Sequence, residues 1–432
     1  MFGTAGARGS IEEVSPSLVL RLGHAVGTVA DAVVVGRDGR YTGGSLVSAF
    51  VAGAEAVGCD VTRLGEVPTH LVAWTARDRG AHGVAVTASH NPAEDNGVKL
   101  FRPDGGEFDA DDEERVAELA DEVETPPWDG WTTADTAQTR SIVSEYVEDA
   151  TGYVDTTADL RVAVDTANGV GARTTVPVLE AMGCDVVAVN AQTDPSFPGR
   201  GSKPTPESLD GFVEFVDRRG FDLGLAHDGD ADRLVVVDAD GVVSEDAVLA
   251  VLARRHVTSG GTGTVLTTPN TSPRVDDTVR EAGGGVRRVE LGTVSEAVRD
   301  NDVVFAAEPW KHVFPGFGGW VDGTVSAAEV VAAYADDADV FDGLRDTDVR
   351  KKSVPCDDGK KEQVMEEVEK TLRERYDGGF DTPDGIRVDL GDGDWFLVRA
   401  SGTEAYVRVY SEGDDDLSSS LLSVVREAVR RV

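Results

Sequence analysis

Short apolar runs alternate with longer amphipathic segments from the N-terminus to Asp339, and this repeat constrains the fold more tightly than any other feature of the chain. Short runs of that kind are buried strands and the segments between them are covering helices, so the pattern predicts βαβ units. Ala32 to Gly36, Arg161 to Asp165 and Thr262 to Thr267 each read as a buried strand, followed by a polar or glycine-rich turn and a helical stretch. Their recurrence predicts an α/β protein with three similar mixed-sheet domains. Within each unit a later strand (Gly83 to Thr87, Asp222 to Ala226, Asp302 to Ala306) runs straight into a polar loop. Ligands in such sheets gather beyond the carboxyl ends of strands, so those three loops are the candidate site. After Asp339 the pattern changes. A helix over about Lys360 to Tyr376 precedes strands near Ile386 to Leu390, Trp395 to Arg399 and Tyr406 to Tyr410, and a helix at about Leu417 to Val432 closes a smaller α+β module. The expected domains are 1–138, 139–245, 246–343 and 344–432. The acidic stretch between about 104 and 135 reads as a solvated helix leading to a linker.

A chain of 432 residues exceeds one hydrophobic core, and its hydrophobic share of 40% is ample for several. The formal charge is -38, from 79 acidic against 41 basic residues, of which only eight are lysine. A uniformly acidic, lysine-poor surface keeps a protein hydrated in concentrated salt, so the chain reads as salt-adapted, with an ordinary acidic protein as the plainer alternative. The same charge disfavours nucleic acid or an anionic membrane as partner. Cys59, Cys184 and Cys356 are far apart and lack metal-ligand spacing, which suits buried thiols in a reducing compartment. No basic leader and no long apolar run is present, so a soluble cytoplasmic protein is expected.

Four segments carry chemistry. Thr87-Ala88-Ser89-His90-Asn91-Pro92 follows an apolar strand, and Asn91-Pro92 enforces a turn that holds Ser89 outward. His90 is placed to exchange a proton, and Lys99 returns toward the same site on the next strand. In His227-Asp228-Gly229-Asp230-Ala231-Asp232-Arg233, three carboxylates at alternate positions of a glycine-containing loop converge on one hard cation and suit Mg2+. A solvated acidic turn is the plainer alternative; an EF-hand is disfavoured because the twelfth position from Asp228 is Ala239. Arg399-Ala400-Ser401-Gly402-Thr403-Glu404, with Arg408 beyond, sets hydroxyls, a glycine and two guanidinium groups around a turn, a good phosphate cradle. Gly3-Thr4-Ala5-Gly6-Ala7-Arg8-Gly9 adds a flexible loop with one arginine.

Taken together and in this order, these segments resemble the α-D-phosphohexomutase superfamily, from Phe2-Gly3-Thr4 to Arg399-Ala400-Ser401-Gly402-Thr403-Glu404. Val35-Gly36-Arg37-Asp38, Phe197-Pro198-Gly199 and Pro204-Thr205-Pro206 are similar to further landmarks of that family. The resemblance implies four domains around a central cleft and interconversion of sugar 1-phosphates and 6-phosphates, with phosphomannomutase or phosphoglucomutase activity first and phosphoglucosamine or phosphopentose mutase activity as alternatives. It implies that Ser89 carries a phosphate, that Mg2+ is bound by Asp228, Asp230, Asp232 and the seryl phosphate, and that Arg8, His90 and Lys99 flank the transfer. It implies hexose 1,6-bisphosphate as intermediate and activator. Arg399, Ser401, Gly402, Thr403 and Arg408 match the loop for the non-reacting phosphate, and Arg233 a residue near the sugar.

The chain departs from the family where the sugar is read. The usual glutamate, serine, glycine and histidine loop is Ala307-Glu308-Pro309-Trp310-Lys311-His312 here, so Glu308 and His312 survive while Trp310 and Lys311 replace serine and glycine. The other third-domain loop is Leu291-Gly292-Thr293-Val294, without its basic residue, and Lys311 is expected to supply that missing charge toward a sugar phosphate. Transfer chemistry needs water excluded from the phosphoserine, so closure of the C-terminal module is expected. A sugar-phosphate phosphatase or a non-catalytic sensor on the same scaffold are the rival readings.

Overall fold

The computed structural model describes residues 7–122, 127–260, 263–299, 302–344, 349–376, 378–381, 384–391, 393–402 and 404–432. The first sheet holds β1 (Ala7–Ser10), β2 (Ala32–Arg37), β3 (Asp60–Glu66), β4 (His82–Val86), β5 (Asp95–Phe101) and β6 (Asp135–Thr136) in the order β1-β5-β4-β2-β3-β6. Helices α1 (Pro16–Val29), α2 (Gly43–Ala56), α3 (Thr69–Arg79) and α4 (Ala110–Asp121) accompany it. β2 runs parallel to β3 and β4, and its Val33, Val34 and Val35 are buried, as a strand covered on both faces must be. β5 returns antiparallel to β4 and sets Lys99 opposite Ala85. Ser15 caps α1, its side chain accepting from Leu18 N, with Pro16 at the first helical position. α4 is closed by an Asp109–Asp112 capping box and buries Val116 and Ala120 in the first core, and Asp135–Thr136 join the sheet edge beside β3.

The second sheet follows α5 (Thr139–Val154) and comprises β7 (Arg161–Asp165), β8 (Asp185–Val189), β9 (Leu223–His227), β10 (Leu234–Asp238) and β11 (Gly241–Val242), with α6 (Thr175–Ala181) and α7 (Asp210–Arg219). Its order β11-β10-β9-β7-β8 repeats the first sheet: β7 lies between two parallel neighbours as β2 does, and β10 returns antiparallel to β9 as β5 does to β4. A third set follows with α8 (Glu245–Gly260), β12 (Thr264–Thr267), α9 (Pro273–Glu281), β13 (Gly285–Arg288), α10 (Val294–Ala297) and β14 (Val303–Glu308); β12 pairs in parallel with β13 and β14. The serine, aspartate and Glu308 loops therefore all leave the carboxyl end of the equivalent strand, β4, β9 or β14.

β15 (Lys311–Val313) and α11 (Gly323–Asp336) come next, and the C-terminal module is the antiparallel sheet β16 (Arg350–Pro355), β17 (Gly379–Asp381), β18 (Ile386–Gly391), β19 (Asp394–Ala400) and β20 (Tyr406–Glu412). Its helices α12 (Lys361–Arg375) and α13 (Asp415–Arg431) bury Val364, Val368, Leu421 and Val425 against Val388, Phe396 and Val398. The chain packs as two compact units, Met1–Val243 with Trp310–Val340, and Ser244–Pro309 with Phe341–Val432. The segment after the Glu308 loop thus groups with the first two sheets. Among the described residues no helix is long and apolar enough to cross a membrane. Cys59, Cys184 and Cys356 are free and buried.

Candidate active site

Ser89 sits directly beyond β4 with φ +50°, a left-handed conformation that a residue with a Cβ keeps only where its surroundings hold it. Two groups do so. Thr87 Oγ1 accepts from Ser89 N at 2.9 Å and donates to Asp38 Oδ2 at 2.8 Å. The buried Arg40 spends four of its five donors on this loop, the terminal nitrogens reaching the carbonyls of Ser89 and Asn91 at 2.8 Å, Asp95 at 2.9 Å and Pro92, while Nε donates to Asp38 at 2.9 Å.

The aspartate loop is the short connection between β9 and β10, closed by the pairing of His227 with Leu234. Oxygens of Asp228, Asp230 and Asp232 lie within 4.8 Å of one another, and all three residues are buried. Ser89 Oγ lies 2.8 Å from Asp228 Oδ2 and 3.2 Å from Asp232 Oδ1. Thr69 Oγ1 donates to Asp230 Oδ2 at 2.5 Å, which leaves Asp230 Oδ1 buried without a hydrogen-bond partner. Burial, then Asp232 and Asp230, hold the Asp228 carboxyl well above the usual carboxylate range. Asp232 is pushed up by burial too, but Lys99, Lys311 and Arg233 outweigh it and hold it well below that range. A dry trio of carboxylates with one oxygen aimed at nothing fits an oxygen-loving divalent cation, which would relieve both the repulsion and the unpartnered atom.

Cations ring this trio. Lys99 Nζ pairs with Asp232 Oδ2 at 2.8 Å; burial pulls its ammonium down, yet Asp232 and Asp230 prevail and leave it raised above the usual lysine range. Arg233 Nε lies 3.7 Å from Asp228 and 3.8 Å from Asp232, with its guanidinium 5.9 Å from the centre of the Trp310 ring. Lys311 Nζ stands 3.9 Å from Asp232 Oδ2, at the serine end of the site. Its neighbour Trp310 has φ +70°, an outlier for so bulky a residue. His90 Nδ1 is 3.3 Å from Ser89 Oγ. Burial, with Arg233, Arg8 and Lys311 nearby, depresses the His90 ring to about 2 against the pull of Asp232, so it stands neutral. Arg8 on β1 lies opposite Gly97 of β5. His312 turns inward: it is 1% exposed, and Nδ1 lies 3.0 Å from Ser326 Oγ.

The remaining sequence-derived residues lie in the second unit. Glu308 Oε1 accepts from Gly292 N at 2.5 Å, joining the two divergent loops. Ser401 and Gly402 occupy the turn from β19 to β20, where Ser401 Oγ accepts from Glu404 N at 3.1 Å. Arg399 and Arg408 are cross-strand partners; Arg399 pairs with Asp384 at 3.1 Å, and Arg408 donates to the Tyr406 hydroxyl. Thr403 and the Phe2-Gly3-Thr4 segment lie outside the described residues.

Comparison with known proteins decides what this arrangement is. Models of the phosphoglucomutase/phosphomannomutase family match in chain order: alpha/beta/alpha domain I over residues 1–126, domain II over 144–241, domain III over 244–348 and the C-terminal domain over 352–422. The chain belongs to the phosphoglucomutase/phosphomannomutase family. It is a phosphohexomutase-type enzyme, an isomerase, of the α-D-phosphohexomutase superfamily. It is 36% identical to a phosphopentomutase of Thermococcus kodakarensis, covering 100% of this chain and 98% of that one. It is 38% identical to a chain of Methanopyrus kandleri named a probable phosphoglucosamine mutase, over 100% and 99%. A phosphoglucomutase/phosphomannomutase family protein of Burkholderia thailandensis superposes with a TM-score of 0.86 at 26% identity, over 100% of this chain and 98% of that one.

Several residues that shape this phosphohexomutase site carry no local sequence signal. Arg200, buried, grips Asp165 at 2.8 Å and the His227 carbonyl at 2.5 Å, doing for the aspartate loop what Arg40 does for the serine loop. Lys361 Nζ donates to the carbonyls of Ser401 at 2.6 Å and Glu404 at 2.8 Å, anchoring the β19–β20 turn. The serine-loop clamp Arg40 does carry a local hint, an arginine two residues after the aspartate that follows β2, in Asp38-Gly39-Arg40.

Proposed function

We propose that this enzyme interconverts sugar 1-phosphates and 6-phosphates through a phosphorylated Ser89 and a bisphosphorylated sugar, with Mg2+ held by Asp228, Asp230, Asp232 and the seryl phosphate. The environment of Ser89 Oγ carries the reading: carboxylate oxygens at 2.8 and 3.2 Å and an imidazole nitrogen at 3.3 Å surround one hydroxyl in a strained loop. A sensor needs no such nucleophile. Two hydroxyls of one sugar stand too far apart for direct exchange, so a serine that stores the phosphoryl group and takes back the other one solves the problem chemically.

When bound, the cation supplies charge neutralisation to the transferring phosphoryl group. Asp228, Asp230 and Asp232 bind it, and Thr69 orients Asp230. Lys99, Arg8, Arg233 and Lys311 offset the remaining negative charge, which in phosphoryl transfer is the main demand on a site. The hydroxyl proton exchanges with the neutral His90 ring at Nδ1, or with Lys99 Nζ where a bound cation would offset the Asp232 and Asp230 charges that hold its ammonium above the usual lysine range. Arg399, Ser401, Gly402, Thr403 and Arg408 hold the non-reacting phosphate, and Glu308 reads the sugar. Displacement of Asp384 from Arg399 accompanies phosphate binding on this reading.

Hexose phosphates, mannose or glucose, are the proposed substrates, with hexose 1,6-bisphosphate as primer. Likeness to relatives named phosphopentomutase and phosphoglucosamine mutase favours a second reading, in which the sugar is a pentose or an amino sugar. Domain boundaries near 138, 245 and 343, and work in a salt-rich cytoplasm, belong to the same proposal. The test is a panel of glucose, mannose, glucosamine and ribose phosphates with purified protein, Mg2+, high salt and a trace of bisphosphate primer. Isomerised sugar phosphate is expected; release of inorganic phosphate alone would make the enzyme a phosphatase.

A further inference from the structure

His227 is the last residue of β9 and immediately precedes the first metal-site carboxylate. Its ring closes the loop that follows it. Nδ1 lies 2.8 Å from the carbonyl oxygen of Arg233, and because a carbonyl only accepts, Nδ1 is the donor. The Nε2 of the neutral ring is then an acceptor, and Thr175 Oγ1, 3.0 Å away, donates to it. Thr324 Oγ1 stands 2.8 Å from Thr175 Oγ1 and 2.8 Å from Thr174 Oγ1, and Thr174 Oγ1 is 3.1 Å from His70 Nε2. One hydrogen per hydroxyl leaves a single order that serves these four contacts: His70 to Thr174, Thr174 to Thr324, Thr324 to Thr175, Thr175 to His227; the Tyr146 hydroxyl, a further neighbour of Thr324, gives its own hydrogen to Asp322. All five side chains belong to residues with no exposed surface, so bulk water has no access to a missing link.

The chain of hydroxyls is rooted in the first turn of α11. Asp322 caps that helix, accepting from Val325 N at 2.9 Å, from the Tyr146 hydroxyl at 2.8 and 2.9 Å and from Trp320 Nε1 at 3.1 Å. Gly323 lies so close to the aspartate loop that a Cβ there would stand 2.3 Å from the carbonyl oxygen of Ala231. One turn of helix therefore abuts the loop backbone and, through Thr324, sets the ring that ties the loop's two ends together. The three carboxylates repel one another before a cation arrives, so the loop has to be held gathered by its surroundings.

We infer that Thr324 is a positioning residue for the divalent cation: through Thr175 it fixes the His227 ring that staples the Asp228–Arg233 loop, and so keeps the carboxylate oxygens together. This rests on the reading of that loop as a cation site. Removing the Thr324 hydroxyl leaves Thr175 without its donor and Thr174 without its acceptor in a dry interior.

Mn2+ binding to the full-length protein, followed by electron paramagnetic resonance, tests this, alongside the metal-free melting temperature of each variant. Thr324→Val is expected to weaken Mn2+ about tenfold, the usual effect of removing an outer hydrogen-bonding partner, while Thr324→Ser restores affinity to within about twofold of the parent. A merely structural role would lower the metal-free melting temperature and leave Mn2+ affinity within about twofold; that result overturns the inference. If Thr324→Val does not fold, Thr175→Val, at the adjoining link, carries the same expectation and the same refutation. Asp230→Asn separates the two levels. If the parent shows no Mn2+ binding that Asp230→Asn removes, the cation-site reading fails and takes the inference with it. If the parent binds and the threonine variants bind equally, the inference alone fails.

Discussion

Replacing Arg40 with lysine keeps one positive charge and most of the stem, yet should cripple the serine loop. All five N–H groups of Arg40 are engaged, one with Asp38 and four with carbonyls of Ser89, Asn91, Pro92 and Asp95. A lysine ammonium has only three donors and no planar fork. At least two acceptors therefore lose their partner, and because most of them are part-buried the cost is about 1–2 kcal/mol each, so the loop should lose about 2–4 kcal/mol of local stability. Ser89 then relaxes from φ +50° toward ordinary backbone, and its hydroxyl leaves Asp228 and Asp232. With about 1.4 kcal/mol per tenfold in rate, kcat/KM should fall roughly 30- to 1000-fold. Hydrogen exchange across residues 87–96, read by mass spectrometry beside steady-state kinetics, measures both halves of the argument. If Arg40→Lys keeps kcat/KM within about threefold and exchange in that segment is unchanged, the clamp is not what holds the serine.

Lys311→Ala removes a charge 3.9 Å from Asp232 at the phosphoryl-transfer end, so kcat should drop about tenfold with KM nearly constant; a rise in KM alone would return Lys311 to sugar-phosphate binding. Asp246, in the first turn of α8, is buried with one oxygen unpartnered, and burial, then Glu245, pushes its carboxyl up to about 8. Its folded value lies above the unfolded one, so the stability associated with the protonated group is full below about pH 4 and is lost as pH rises through 8. Asp246→Asn should therefore gain on the parent progressively between pH 5 and about 8 and level off above, by on the order of a few kcal/mol, in denaturant melts; a constant difference from pH 5 to 8 would contradict it.

The serine and aspartate loops were legible because each follows a run of buried valine, leucine or alanine, and strand ends are where a sheet presents polar side chains. Arg161–Asp165 forms a strand over the very residues that its apolar run marks. What stayed hidden is tertiary. Arg40 meets the serine loop across 49 or more positions and Thr324 meets Thr175 across 149, and no local periodicity records such partners. The direction of a side chain is likewise invisible: His312 faces Ser326 and Lys311 faces Asp232, although both lie on the loop that sequence assigns to the sugar. The acidic stretch forms the largely solvated helix its composition predicts, and what composition hides is the narrow buried stripe of Val116 and Ala120 among many carboxylates.

Whether Ser89 relays the phosphoryl group is tested most directly by the intact mass of the purified enzyme before and after incubation with hexose 1,6-bisphosphate and Mg2+. A covalent phosphoryl adduct should appear, map to Ser89 on peptide sequencing, vanish when sugar monophosphate is added in excess, and be absent from Ser89→Ala. An enzyme that isomerises sugar phosphates while its mass never changes, or whose adduct maps to another residue, would contradict the account.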